Sequence, residues 1–297
     1  MLHRIEFILF QFFKWIVLAL PLKSASRLGA MLGGGAYYII GGRRRIALDN
    51  LRMAFPEKTE QERTKIAKGA FRNFGIMFVE MLWFPNLTEP ILAKLVTYHN
   101  VDIIPDAEDR QKGIVLVTAH FANWELGGLL MGKRLRSSML IIVQTQTNKL
   151  VDKVINEHRC LFGNRVVPTG MSVREIIRTL EQHGAVAMAA DQSAAKESVH
   201  VEFFGRKVAT HEGPAVFSLR TGAALILFFF VRKPDYTYDS YVELISLENL
   251  PEDREERVIA LTQRHTKVLE KYIRQYPDQW LWLHRRWKHV EETSPDA

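Results

Sequence analysis

His120 and Glu125 bracket the stretch His-Phe-Ala-Asn-Trp-Glu, which follows Gly113-Ile-Val-Leu-Val-Thr-Ala. A histidine with a carboxylate in reach suits proton removal from a hydroxyl. The acid accepts the proton of one ring nitrogen, which fixes the tautomer and raises basicity, and the other nitrogen serves as base. The alternative is a structural histidine capped by a nearby acid. For either role the residues around the pair must hold it. Ile114–Thr118 is an uninterrupted apolar and β-branched run, as a strand covered on both faces requires. Asn123 is a good N-cap, so a helix is predicted from there, with Glu125 in its first turn where the helix dipole favours a carboxylate. His120 then sits at the carboxyl end of a strand, where open α/β sheets place their ligand crevice. The chain has no Gly-x-Ser-x-Gly elbow, so the hydroxyl to be activated is the substrate's own.

The string Thr-Ala-His120-Phe-Ala-Asn-Trp-Glu125 resembles the His-x4-Asp/Glu motif of glycerolipid-type acyltransferases. It is most similar to the lipid A late acyltransferases, the lauroyl and myristoyl transferases of Gram-negative bacteria. Further segments carry the likeness over nearly the whole chain: Asn50-Leu-Arg-Met-Ala-Phe-Pro-Glu57, Asp191-Gln192, Phe203-Phe-Gly-Arg206, Thr210-His-Glu-Gly-Pro214 and the closing Gln279-Trp-Leu-Trp-Leu-His-Arg-Arg-Trp-Lys288. One departure is the strand after Thr221-Gly222-Ala223, which lacks the proline the family commonly carries there. The resemblance implies a membrane-bound acyltransferase moving a fatty acyl group from acyl carrier protein to a hydroxyl of a phosphorylated glycolipid, a lipid A precursor. It makes His120 the general base and Glu125 its orienting partner. It places Arg159, Asp191, Asn123, Gly205 and Arg206 at the substrate. Direct transfer needs no metal, cofactor or covalent acyl-enzyme. Other membrane acceptors (a phosphatidylinositol mannoside or an aminolipid), a hydrolase and a non-catalytic lipid-binding protein stay open.

Arg159 precedes the break at Gly163, and its planar fork suits phosphate or carboxylate. Asp191 follows a buried strand and is expected on the same sheet edge as His120, so Arg159 is expected to face either Asp191 or the lipid's phosphate. The structural alternatives are a turn-capping aspartate and a solvated helix charge. Cys160 reads as ordinary packing. One cysteine excludes an internal disulfide and fits a reducing compartment. His211-Glu212 lacks the second histidine of a zinc helix.

Chain-wide, a formal charge of +7 implies acidic partners: nucleic acid, anionic lipid or an acidic carrier. No nucleic-acid module accompanies it, so lipid and carrier rank first. Residues 5–22 form an apolar run interrupted by Glu6, Gln11 and Lys14. It is long enough for a short spanning helix, yet Arg4, Gln11 and Lys14 fall on one side, which also fits a helix in the interface. Arg43-Arg44-Arg45 follows it, which sets the rest of the chain on the cytoplasmic face of an inner membrane. The bland alternative is a buried helix hairpin. Gly33-Gly34-Gly35 lies in an apolar segment and is no phosphate loop.

Thr59-Glu-Gln-Glu62 is a capping box opening a long helix. Strands at Met139–Val143, 165–167, 185–190, 224–231 and 241–246 alternate with helices at 148–161, 172–182, 212–220 and 255–275. That alternation predicts a mainly parallel sheet flanked by helices, glycerolipid-acyltransferase-like, behind a membrane-anchoring helical segment. The expected organisation is an anchor and interface segment over 1–45, an acyltransferase domain over 46–290 and a frayed tail over 291–297.

Overall fold

In the computed structural model residues 1–170 and 173–290 are described; the expected tail lies outside them. Four helices lead: α1 (Leu2–Leu18), α2 (Leu22–Ile39), α3 (Gly41–Ala54) and α4 (Glu60–Trp83). Then come α5 (Glu89–Leu95), β1 (Val96–His99), α6 (Ile103–Asp109), β2 (Ile114–Thr118), α7 (Trp124–Arg134), β3 (Met139–Val143), α8 (Lys149–Arg159) and β4 (Arg165–Pro168). The chain continues through α9 (Val173–Glu181), β5 (Ala185–Ala189), β6 (His200–Phe203), β7 (Arg206–Ala209), α10 (Gly213–Thr221), β8 (Ala224–Arg232), β9 (Tyr238–Ile245) and α11 (Arg254–Gln275).

The strands form a seven-stranded sheet in the order β1-β9-β8-β2-β5-β3-β4, with β6 and β7 as a separate hairpin. Every neighbouring pair in the large sheet is parallel except β8 with β9. Apolar side chains fill both faces. One core holds Val115, Val117, Leu225, Phe229 and Leu261, and the other Leu116, Leu126, Leu130, Ile226 and Phe228. The predicted α/β architecture is therefore observed, and β2 sits centrally, as its continuous apolar run requires.

The Thr59 capping box forms as expected, its hydroxyl accepting from the Glu62 N–H while Glu62 accepts from the Thr59 N–H. Glycines set α2 against α4. A Cβ at Gly33 would lie 2.2 Å from the Phe71 carbonyl oxygen, and one at Gly29 2.6 Å from that of Gly75. The glycine-rich stretch is thus a close helix crossing. α3 runs through residues 45 and 46 without a break, and Val17, Ala25 and Tyr37 are buried in the body. No helix among the described residues is long and apolar enough to cross a membrane.

Candidate active site

β2 and β5 are adjacent and parallel, with Thr118 opposite Ala189. Two residues beyond each, His120 and Asp191 come together at the carboxyl edge of the sheet. Asp191 Oδ1 lies 2.8 Å from His120 Nδ1, and Asp191 Oδ2 accepts from the His120 backbone N–H at 2.9 Å. Trp280 Nε1–H donates to the same Oδ2 at 2.8 Å. An ionised carboxylate only accepts, so Nδ1 carries the imidazole proton and Nε2 keeps its lone pair. His120 and Asp191 line a narrow crevice together with Gln192, Leu281, His284 and Arg286. The Gln192 amide stands 3.4 Å from Nε2. The Trp124 ring meets the imidazole edge-on, with centroids 5.0 Å apart.

Glu125 does not hold His120, contrary to the sequence expectation. Its two oxygens accept from Arg159, Nε at 2.8 Å and Nη2 at 2.6 Å. On α7 the Glu125 side chain points toward α8, so the helix lays it against the arginine instead of the ring. Arg159 accordingly does not pair with Asp191. The side chains of Glu125 and Arg159 are 10% and 15% exposed, so this is a nearly buried bidentate pair.

Asn123, expected at the substrate, is fully buried. Its Oδ1 accepts from the Leu126 N–H, capping α7, and its amide donates to Glu80 of α4 at 2.7 Å. Ser26 Oγ donates to the other Glu80 oxygen at 2.6 Å, and the Tyr238 hydroxyl also donates to Glu80. Arg232 donates to Tyr238 and Asn73. This buried network ties α2, α4, α7 and the β8–β9 pair directly beneath the histidine turn. Gly205 and Arg206 lie at the turn of the β6–β7 hairpin, where Phe204 and Gly205 both have positive φ as a tight two-residue turn demands. The hairpin rests on α11, through the Phe204 N–H on Glu270 and the Glu202 N–H on Gln263. The structure gives this turn a hairpin-closing role.

A C-terminal strap completes the site. Ala122 donates to the Gln279 carbonyl at 2.6 Å and Leu281 to that of His120 at 2.9 Å, bridging Phe121 and Trp280 antiparallel. The pairing holds Ala122 at φ 47°, a conformation unusual for a residue with a Cβ. Arg286, buried, donates to the Ala209 carbonyl and Thr210 Oγ1, both at 2.6 Å, locking the strap to the hairpin. The closing motif was visible in sequence; that it supplies the third donor to Asp191 was not.

Burial alone would depress the His120 pKa, but the Asp191 charge and hydrogen bond outweigh it, aided by the Glu125 charge, and the net shift is upward. Burial would raise Asp191, yet the His120 charge, the two hydrogen bonds from His120 and the Trp280 donor bring it below the usual carboxylate range. Glu125 is likewise raised by burial and lowered overall by Arg159. Burial pulls the Arg286 guanidinium down to about 10 while Asp191 opposes it, so it remains a cation at neutral pH. No cluster of His, Cys, Asp and Glu able to hold a metal occurs among the described residues.

A carboxylate-held imidazole at the edge of a parallel sheet, its second nitrogen met only by the Gln192 amide, is an arrangement that can take up a proton. The family model of bacterial lipid A biosynthesis acyltransferases matches residues 1–289. The chain belongs to that family and is an acyltransferase. It is 31% identical over 278 residues to the lipid A biosynthesis palmitoleoyltransferase of Escherichia coli K12, covering 92% of this chain and 88% of that one. To the lauroyltransferase of the same organism it is 30% identical over 285 residues, 95% and 90% of the two chains. A phosphatidylinositol mannoside acyltransferase of Mycolicibacterium smegmatis is 22% identical over 227 residues, 75% and 72% of the two chains.

Proposed function

We propose that the protein transfers a fatty acyl group from acyl carrier protein to a hydroxyl of a lipid A precursor at the cytoplasmic face of the inner membrane. The observation that carries it is His120, with Nδ1 on Asp191 and Nε2 met by the Gln192 amide alone, at the long distance of 3.4 Å, which an acceptor hydroxyl would displace. An acceptor hydroxyl placed on Nε2 gives up its proton as its oxygen attacks the thioester carbonyl. The tetrahedral oxyanion then collapses, the carbon–sulfur bond breaks, and the imidazolium returns the proton to the leaving thiolate. The products are an ester and a free carrier thiol. Asp191 holds the productive tautomer and stabilises the imidazolium as it forms. The ion-paired Glu125 is a poor proton carrier. Together with Arg159 it fixes α7 against α8; its own charge favours the protonated ring and that of Arg159 partly offsets this.

The acceptor assignment rests on the two Escherichia coli relatives, and the acidic donor fits a chain of formal charge +7. The membrane setting is supported by the exposed apolar residues of α1 and the exposed Arg43 and Arg45.

The test is incubation of purified protein with acyl-loaded carrier protein and a membrane lipid extract, with products read by mass spectrometry. An acylated lipid A precursor that appears only with both substrates and is lost in His120→Ala is expected. Acylated phosphatidylinositol mannoside would move the acceptor. Release of free fatty acid alone would make the protein a hydrolase.

A further inference from the structure

α1 turns its apolar side outward. Leu2, Ile5, Ile8, Leu9, Phe12, Trp15 and Ile16 recur at spacings of three and four along the helix, and their exposures run from 42% to 69%. The opposite side is fastened to the body at both ends. Asn148, the N-cap of α8, donates to the His3 carbonyl at 2.8 Å and to Glu6 at 3.1 Å. At the far end Asn86 donates to the Leu18 carbonyl at 2.9 Å and Trp83 Nε1–H to that of Leu20 at 2.8 Å. Between these points Val17 is fully buried and Phe10 and Phe13 pack against the core.

We infer that α1 lies flat in one leaflet of a bilayer, its outer stripe in the lipid, and does not span it. This rests on the reading that the acceptor is a membrane lipid. A spanning helix needs about twenty apolar residues free of the body on all sides. α1 has 17 residues, and its polar contacts are made to the protein. Leaving the body would break four hydrogen bonds and expose Val17. A helix with one apolar face outward and the other docked suits burial to the depth of the upper acyl chains. The charges at its ends fit the same surface. Arg4 lies near one end, and Lys23 and Arg27, on the following helix, near the other; all three are exposed and match anionic headgroups. A stripe bordered by cations at both ends suits an anionic lipid surface better than a second, equally cationic copy of this chain.

The test uses a Cys160→Ser background with single cysteines at Ile5, Leu9, Phe12 or Ile16, each carrying an environment-sensitive fluorophore. Vesicles of phosphatidylethanolamine and phosphatidylglycerol contain lipids with quenchers at fixed depths. The expected result is quenching of all four sites at one shallow depth. A second arm joins Glu6→Cys to Asn148→Cys with a short thiol cross-linker, which should leave vesicle binding and acyl transfer intact. Depth that progresses from residue 5 to residue 16 across the midplane, with binding lost on cross-linking, would establish a spanning helix and overturn the inference. Binding without quenching at any site would make the stripe a protein contact and also overturn it. Acyl transfer in detergent is scored separately, so the chemistry stands or falls independently of α1.

Discussion

His120 has two carboxylates within electrostatic reach, and substitution separates their contributions. His120→Ala should reduce transfer on the order of a hundred- to ten-thousandfold in a protein that still folds. Asp191→Asn keeps the shape but loses the charge that raises the imidazole pKa. With His120 as the proposed base, its raised pKa should put the acidic limb of kcat/KM above pH 6.5. In Asp191→Asn that limb should move to lower pH while the plateau falls; an unmoved limb would assign it to another group. Glu125 behaves differently. Removing one partner of its nearly buried pair with Arg159 leaves the other charge uncompensated, at a cost of about 3–5 kcal/mol. Glu125→Gln and Arg159→Ala should therefore lower the denaturation midpoint strongly, and the double variant should lose less than the sum of the singles. Additive losses in a denaturant double-mutant cycle would separate the two residues.

At the scale of elements, the crossing of α2 on α4 and the strap beneath His120 both position the site. Gly33→Ala drives a methyl into the Phe71 carbonyl, a contact on the backbone of α4 that no rotamer relieves. It should cost at least the roughly 1–3 kcal/mol of an overpacked core, measured by thermal unfolding, whereas Gly35→Ala, with open space at its Cβ, should not. Trp280→Phe removes one donor from Asp191 and keeps the ring, so transfer should fall moderately at unchanged fold. The buried strands were legible in the sequence because a strand covered on both faces is written as an unbroken apolar run: Ile114–Thr118 and Met139–Val143 match residue for residue. β1 and the β6–β7 hairpin were not, four-residue strands leaving almost no period to read, although the equally short β4 was anticipated. The partner of His120 was hidden for another reason. A nearby carboxylate in sequence, Glu125, competes with a distant one, Asp191, and only strand order and register decide. Had β2 been set beside β5 in equal register, the aspartate two residues past the strand would have been found.

Across the whole molecule, the core on the α11 side encloses charge and unpartnered polarity together. His265 is 3% exposed, its Nε2 has no hydrogen-bond partner, and the buried Arg286 is nearby with Nε also unpartnered. Burial, and secondarily the Arg286 charge, push the His265 pKa down to about 4. The folded state therefore refuses a proton that the unfolded chain accepts near 6.5, and in that window the unfolded state binds more protons. Stability is full above pH 6.5 and declines as pH falls toward 4, by about 3 kcal/mol for this residue. His158 and His284, also lowered by burial, act in the same direction. His120 opposes them, because its raised pKa favours the folded state on acidification. Asp191 and Glu125, held low, contribute stability that is lost only as pH falls further, through their depressed values. The midpoint of urea unfolding should thus drop between pH 7 and pH 5, and His265→Gln should flatten that slope more than His158→Gln, whose ring keeps the Met81 carbonyl as a partner that favours the charged form. An unaltered slope in His265→Gln would show that the imidazole is protonated in the folded protein and that the core admits its charge.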